Sequence, residues 1–315
     1  GLEFFGLPAN FRRAAEKQTI KLTEIEGCSM IKGLEAAKFG FPFSAFRGPK
    51  GSDIVKEAPE LYKTVECPFT GQEMTAIEAI VPDVAIIHAQ RADEQGNIQL
   101  MGTSASDMDM AMAAKKVIVT VEEIISAEEI REDKYATKLL RNDVDLVIHC
   151  PMGASPCSSV PYYSAHLLQM QKDVVGLNPK TAADYIPTVI GASEEEYWQN
   201  VGGEEAKAKL RAFPQHTKSV PLPVTLESDK SSDYTVGDEM VVALARTIED
   251  EDTIVLGSFT PLAYASYNLA KLTTAPNSIV IGQSGVDTNP FEMGFHFSEA
   301  ACLKNSAGTW SMTEC

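Results

Sequence analysis

Apolar and polar positions alternate in two distinct rhythms from residue 19 to about residue 150. The β-branched runs "TIKLTEIE" (19–26), "DVAIIHA" (83–89), "KVIVTV" (116–121) and "DLVIHC" (145–150) predict strands. Between them, "SMIKGLEAAKF" (29–39), "SDMDMAMAAK" (106–115) and "SAEEIRED" (126–133) have the composition or the acidic first turn of helices. Strands alternating with helices predict an α/β fold with a parallel sheet. The nearly continuous apolar character of "DVAIIHA" predicts a strand covered on both faces.

Residues 180–212 predict helix, and in "SEEEYWQNVGGEEAKAKLRA" the acids come early and the bases late, as a helix dipole favours. The texture changes at "FPQHTKSVPLPVTLESDKSS" (213–232), whose three prolines and small polar residues predict a linker. The helix and strand rhythm then restarts. "VGDEMVVALARTI" (236–248) and "PLAYASYNLAKLT" (261–273) predict helices, and "DTIVLG" (252–257) and "SIVIG" (278–282) predict strands. The expected organisation is two tandem α/β modules. The second is too short to complete a sheet of ordinary size. Neither G-x-G-x-x-G nor G-x-x-x-x-G-K-[ST] occurs, so a dinucleotide fold or a phosphate-loop ATPase has no support.

Composition narrows the function classes. A formal charge of −17 argues against nucleic acid as a partner, because phosphate backbones are held by a surplus of Lys and Arg. No apolar run approaches the ~20 residues of a membrane span and no signal peptide is legible, so no membrane association and a cytoplasmic location are expected. The six cysteines form no CxxC pair and predict buried thiols, with no metal site and no bound cofactor. The start at Gly1 and the stop at "TWSMTEC" suggest an excerpt of a longer protein.

Working residues of open α/β sheets sit beyond the carboxyl ends of the strands. In "IKLTEIEGCS" one face carries Ile20, Leu22, Glu24 and Glu26, so an apolar stripe turns acidic. A half-buried carboxylate there would have a raised pKa and serve as a general base; the alternative is a strand edge reaching water. The Gly/Pro loop "RGPKGSD" (47–53) sets Arg47 and Lys50 beside Ser52, as candidate phosphate contacts or as an ordinary solvated loop. His88, inside an apolar run, is expected to be a core residue bonded to backbone. In the second module "GSFTPLA" (257–263) and "GQSG" (282–285) both follow strands. If those strands are neighbours, both loops meet at one crevice, with backbone N–H groups available to a developing oxyanion near position 283.

The stretches "PDVAIIHAQRADEQGNIQLMG", "DMDMAMAAKKVIVTVEEIISAEEIRED" and "GLPANFRRAAEKQTIKLTEIEG" resemble the A-type subunit of family I CoA-transferases, closest to the glutaconate CoA-transferase group. Residues 233–315 resemble the start of the B-type subunit. The resemblance implies an A-like domain over 1–212 lacking its N-terminal part, a linker over 213–232, and the beginning of a B-like domain over 233–315. Both modules would then be incomplete CoA-transferase-like α/β units, the middle of a fused protein. It further implies acyl-CoA and carboxylic acid substrates, with coenzyme A as substrate. The partner it implies is a second copy in a homo-oligomer or a complementary CoA-transferase subunit.

In that family the B-type motif is E-S-G, and its glutamate attacks the acyl-CoA carbonyl to give an anhydride and then a glutamyl-CoA thioester. Gln283 occupies that position here, ahead of Ser284 and Gly285 and after Gly282. An amide has no anionic oxygen for this attack. The family's G-x-G-x-P loop reads Gly257, Ser258, Phe259, Thr260, Pro261, and Phe259 would crowd the oxyanion pocket. Transfer, hydrolysis of a thioester or C–C bond by an A-domain carboxylate (Glu24 or Glu26), and a non-catalytic CoA-binding copy all remain open on the sequence alone.

Overall fold

The computed structural model describes residues 9–102, 104, 106–174, 182–212, 233–256, 260–282 and 285–286. The chain divides into two units, one of Gly1–Cys157 and His166–Ala208, the other of Ser158–Ala165 and Lys209–Cys315. The predicted linker 213–232 lies outside the described residues.

Among the described residues the first unit holds the strands β1 (Phe43–Phe46), β2 (Tyr62–Glu66), β3 (Glu73–Glu78), β4 (Ala85–Asp93), β5 (Ile98–Gln99), β6 (Val117–Ile125), β7 (Thr137–Leu139) and β8 (Leu146–His149). Two sheets result. The first is antiparallel in the order β1-β3-β2, the second is mixed in the order β7-β5-β4-β6-β8. In the second, β4, β6 and β8 run parallel, and β5 and β7 add antiparallel partners. The fold is α/β as expected, but the parallel part is only the β4-β6-β8 core.

Along that core alternate side chains take opposite faces. Ala85, Ile87, Ala89, Val117, Val119 and Val121 are buried, with Met108 and Met110 of the helix Asp107–Ala113 packed against them. The other face is open at its apolar positions, with Ile86 70% exposed, Leu146 49% and Ile148 41%, and is covered only farther along, at His88 and Glu122. Cover on both faces, expected from the apolar run, therefore holds on one side only.

The stretch 19–26 is a second correction, because it contains no strand. Ile20 and Leu22 are exposed, so the alternating pattern meets neither a neighbouring strand nor a core there. The segment ends by capping the helix Gly27–Lys38. Glu26 is its N-cap and accepts from the N–H groups of Cys28 and Ser29, both at 2.8 Å, and from the Ser29 hydroxyl at 2.8 Å. The backbone N–H of Glu26 donates to the Tyr62 hydroxyl at 3.2 Å, and Ile25 packs on the core of Ala58, Tyr62 and Ile77. The helix can then approach the chain at Ile80 because position 33 is glycine; a Cβ there would lie 2.7 Å from the Ile80 side chain.

The hairpin from β4 to β5 depends on one buried carboxylate. Asp93 accepts from the N–H groups of Gln95 and Asn97 at 3.0 and 2.9 Å and from Asn97 Nδ2 at 2.7 Å. Gly96, at φ +93, supplies the left-handed residue the turn requires.

The second unit contains the helices Val236–Ala245 and Pro261–Thr273 and the strands β9 (Thr253–Val255), β10 (Ile279–Gly282) and β11 (Gly285–Val286), ordered β11-β10-β9. Thr235 and Asp238 form a capping box at the first helix, and Pro261 opens the second. Leu256, Tyr267 and Val280 make its core, and the Tyr267 hydroxyl donates to the Ser278 carbonyl at 3.1 Å. No helix among the described residues is long and apolar enough to cross a membrane.

The two carboxylates that organise these turns have different expected costs. Asp93→Ala leaves three donors of a buried turn without an acceptor and should lower the unfolding free energy by about 2–3 kcal/mol in urea titration; an unchanged midpoint would contradict the assignment. Burial pushes the Glu26 carboxyl up, but the hydrogen bonds from Cys28 and Ser29 outweigh it and hold it below its ordinary value of 4.5. A depressed folded pKa adds stability that is complete above the ordinary value and is lost as pH falls through the folded one. Glu26→Ala should therefore cost about 0.5–1 kcal/mol near neutral pH, at the low end for a partly solvated cap, and progressively less as pH falls from 4.5 through the lowered folded pKa, read as the difference in urea midpoints.

Candidate functional site

In the second unit the strands that precede the two predicted site loops are neighbours. β9 and β10 are adjacent and parallel, with Ile281 registered against Val255. The Leu256 N–H donates to the Ile281 carbonyl at 3.1 Å, extending the pairing one residue past β9. β11 folds back on β10, pairing Gly285 with Gly282, so Gln283 and Ser284 form the connection between them. Gln283 and Ser284 themselves, and Gly257, Ser258 and Phe259 of the neighbouring loop, lie outside the described residues. Thr260 is the N-cap residue of the helix that Pro261 begins.

In the first unit Glu24 is exposed and Glu26 is half-buried. The raised pKa expected of a carboxylate at this place is reversed at Glu26, since three donors stabilise its anion. The carboxyl with the raised pKa is one that strand counting does not single out. Burial pushes Asp107, in the first turn of the helix Asp107–Ala113, up to about 6. Two residues on, Asp109 is buried and paired with Lys38 at 3.1 Å, which ties this helix to Gly27–Lys38.

The loop 47–53 brings Arg47, Lys50 and Ser52 onto one exposed turn. Lys50 Nζ lies 3.1 Å from the Glu73 carboxylate, and the Ser52 hydroxyl donates to the Pro49 carbonyl at 2.8 Å.

His88 departs most from expectation. Its ring meets side chains rather than backbone: Nδ1 lies 2.8 Å from Thr120 Oγ1, and Nε2 lies 2.5 Å from Glu122 Oε1. The register of β4 on β6 sets His88 opposite Thr120, and Glu122 follows two residues later on the same face. The other oxygen of Glu122 accepts the Met152 N–H at 2.8 Å, and His149 Nε2 lies 3.1 Å from the Glu122 carbonyl oxygen. Period-two counting in "VIVTVEEII" places Glu122 on a strand face, but its partner became legible only with the register. Among the described residues no group of three or more His, Cys, Asp or Glu is placed to hold a metal ion.

Comparison with known proteins follows the same lines. Residues 2–144 match the family model for Coenzyme A transferase. The chain is 35% identical to the A-type subunit of the 3-oxoadipate CoA-transferase of Pseudomonas knackmussii, over 48% of this chain and 54% of that protein. It is 36% identical to the A-type subunit of the glutaconate CoA-transferase of Acidaminococcus fermentans, over 41% and 45% respectively. The chain thus spans about half the length of the curated relatives it matches. The crystal structure of glutaconate coenzyme A-transferase from Acidaminococcus fermentans superposes with a TM-score of 0.58, at 28% identity, over 64% of this chain and 69% of that one. The matched sequence of residues 2–144 and the α/β architecture shared with glutaconate CoA-transferase identify that part of the chain as family I CoA-transferase sequence.

Proposed function

We propose that the chain acts on acyl-CoA thioesters, with residues 1–212 as an A-type portion and residues 233–315 as the start of a B-type portion joined through 213–232. The observation that carries this reading is the pairing of β9 with β10. The two strands end side by side, just ahead in sequence of 257–261 and 282–285, the segments that the family resemblance assigns to the oxyanion loop and the nucleophile. Adjacent parallel strands with loops at their carboxyl ends form the crevice in which open α/β sheets bind ligands. CoA is then a substrate and not a resident cofactor, and carboxylic acids are the acceptors. A complementary subunit or a second copy is the natural partner.

The chemistry turns on Gln283. A carboxylate at this place attacks the thioester carbonyl; an amide cannot, because its nitrogen lone pair is delocalised and its oxygen is neutral. Gln283 retains two donors and one acceptor, which suit it to hydrogen-bond a substrate carbonyl. This favours a second reading in which water, activated by a carboxylate of the A-type portion, cleaves the substrate. Glu24 and Glu26 are candidates by position, and Glu26 is ionised at neutral pH by its three donors. Asp107 is better matched to a base near neutrality, since a general base works best with a pKa close to the operating pH.

The loop 47–53 fits the CoA phosphates. Lys50 pairs with Glu73 across an exposed salt bridge, worth about 0–1 kcal/mol, so a phosphate displaces Glu73 at little cost. Arg47 is exposed beside it.

Free-thiol release from a panel of acyl-CoAs, with and without a carboxylate acceptor, separates the readings. Acceptor-dependent transfer gained by Gln283→Glu, on a native chain that is silent or much slower, would make this a transferase scaffold with its nucleophile replaced. Release by the native chain that needs no acceptor would make it a hydrolase. In that case Asp107→Asn should reduce release by about a hundredfold, and Glu26→Gln by less. If neither chain releases thiol but both retain CoA, the protein is a binding copy and the catalytic reading is wrong.

A further inference from the structure

The His88–Glu122 pair lies under a turn that neither the transferase nor the hydrolase reading uses. Glu122 is 5% exposed, and buried carboxylates are tolerated only when both oxygens have partners. Oε1 faces His88 Nε2 across 2.5 Å, so one proton lies between them. Oε2 takes the N–H of Met152 at 2.8 Å. Met152 is itself buried and has φ +61, a left-handed conformation that a methionine adopts only when held.

The next residue closes the arrangement from above. A Cβ at Gly153 would lie 2.8 Å from the Cys150 carbonyl oxygen, 2.9 Å from Cys150 Sγ and 3.0 Å from His88 Cε1. The chain therefore sits directly on the imidazole, and only glycine fits between the ring and Cys150. The turn continues through Gly153 N–H to the Cys150 carbonyl at 3.0 Å and Ser155 N–H to the Met152 carbonyl at 3.1 Å. The Ser155 hydroxyl reaches the Tyr197 hydroxyl at 2.9 Å, joining the turn to the helix Glu194–Val201. All of this stands immediately past His149, the last residue of β8, at the carboxyl end of the parallel core.

We propose that Glu122 and His88 are positioning residues that hold the Cys150–Cys157 turn in its strained shape at the carboxyl edge of β8, and that turnover of acyl-CoA requires the turn so held. The second half rests on the proposed function; the first does not. The pair is built so that its hydrogen bonds survive loss of the carboxylate charge. In Glu122→Gln the amide oxygen keeps the Met152 N–H, and the amide NH2 donates to His88 Nε2. The ring then carries its proton on Nδ1, where Thr120 Oγ1 accepts it and passes its own hydrogen toward the Ile87 carbonyl, 3.4 Å away. Glu122→Ala removes the seat altogether.

Cys150 reports on the turn. Burial first, then the negative charges of Glu194 and Glu122, push its thiol pKa up, so in the closed turn it is a poor nucleophile. Alkylation of the native protein and its variants, with the modification at Cys150 quantified by peptide mass mapping against Cys28 and Cys67, measures the opening. Glu122→Ala should speed Cys150 labelling about tenfold and lower kcat/KM for acyl-CoA by a similar factor, while Glu122→Gln should restore both to within about twofold of native. Gly153→Ala should reproduce the fast labelling with Glu122 intact, and decides the matter if Glu122→Ala fails to fold. Native labelling rates in both Glu122→Ala and Gly153→Ala would overturn the seat. Fast labelling with native kcat/KM would overturn the link to turnover, as would a Glu122→Gln variant as impaired as Glu122→Ala. A native protein with no turnover of any acyl-CoA would overturn the link to turnover while leaving the scaffold and binding outcomes of the proposed function, and labelling alone would still decide the seat.

Discussion

The parallel pairing of β4 with β6, in register from Ala85 with Val117 to Asp93 with Ile125, is the constraint on which the first unit depends. It is set by one face. Ala85, Ile87 and Ala89 must lie beside Val117, Val119 and Val121 to bury a common apolar surface, and a slip of one residue would turn that surface to water. With the buried face fixed, the opposite face has no freedom. His88 then stands across from Thr120, with Glu122 two residues further on. The polar network at the strand ends is thus a consequence of packing on the far side of the sheet.

In the second unit the same logic works with fewer strands. β9 and β10 are short, but their parallel pairing over a core of Leu256, Tyr267 and Val280 sets the strand ends Val255 and Ile281 side by side. What such an edge does depends on the side chain placed there. On the proposed function, a carboxylate at position 283 would permit a covalent route through an anhydride, whereas the amide present would leave binding and orientation. The likeness to CoA-transferases is carried by residues 2–144 and by the architecture, and neither determines the side chain at position 283.

Much of the architecture was legible in the sequence because the long core strands carry their own signal. "DVAIIHA", "KVIVTV" and "DLVIHC" became β4, β6 and β8, and the helices 29–39, 106–115 and 126–133 formed close to their expected bounds. The strands β1, β2 and β3 were not legible. "FSAF", "YKTVE" and "EMTAIE" are short and mix charge with small residues, and they hold together through antiparallel hydrogen bonds that no local pattern announces. The opposite error came at 19–26, where a strong alternation met no partner strand and the final glutamate capped a helix instead. Site residues divided the same way. The loops at 257–261 and 282–285 were assigned by their position after strands and lie largely outside the described residues, whereas the role of His88 required the register and the raised pKa of Asp107 required its burial.

On the proposed function, position 283 meets an acyl-CoA thioester and the amide there withholds covalent chemistry. Intact-mass measurement after incubation with acyl-CoA tests it most directly. The native chain should remain at its own mass, and Gln283→Glu should gain the mass of covalently attached CoA, released by hydroxylamine. An adduct on the native chain, or none on Gln283→Glu with any acyl-CoA offered, would contradict it.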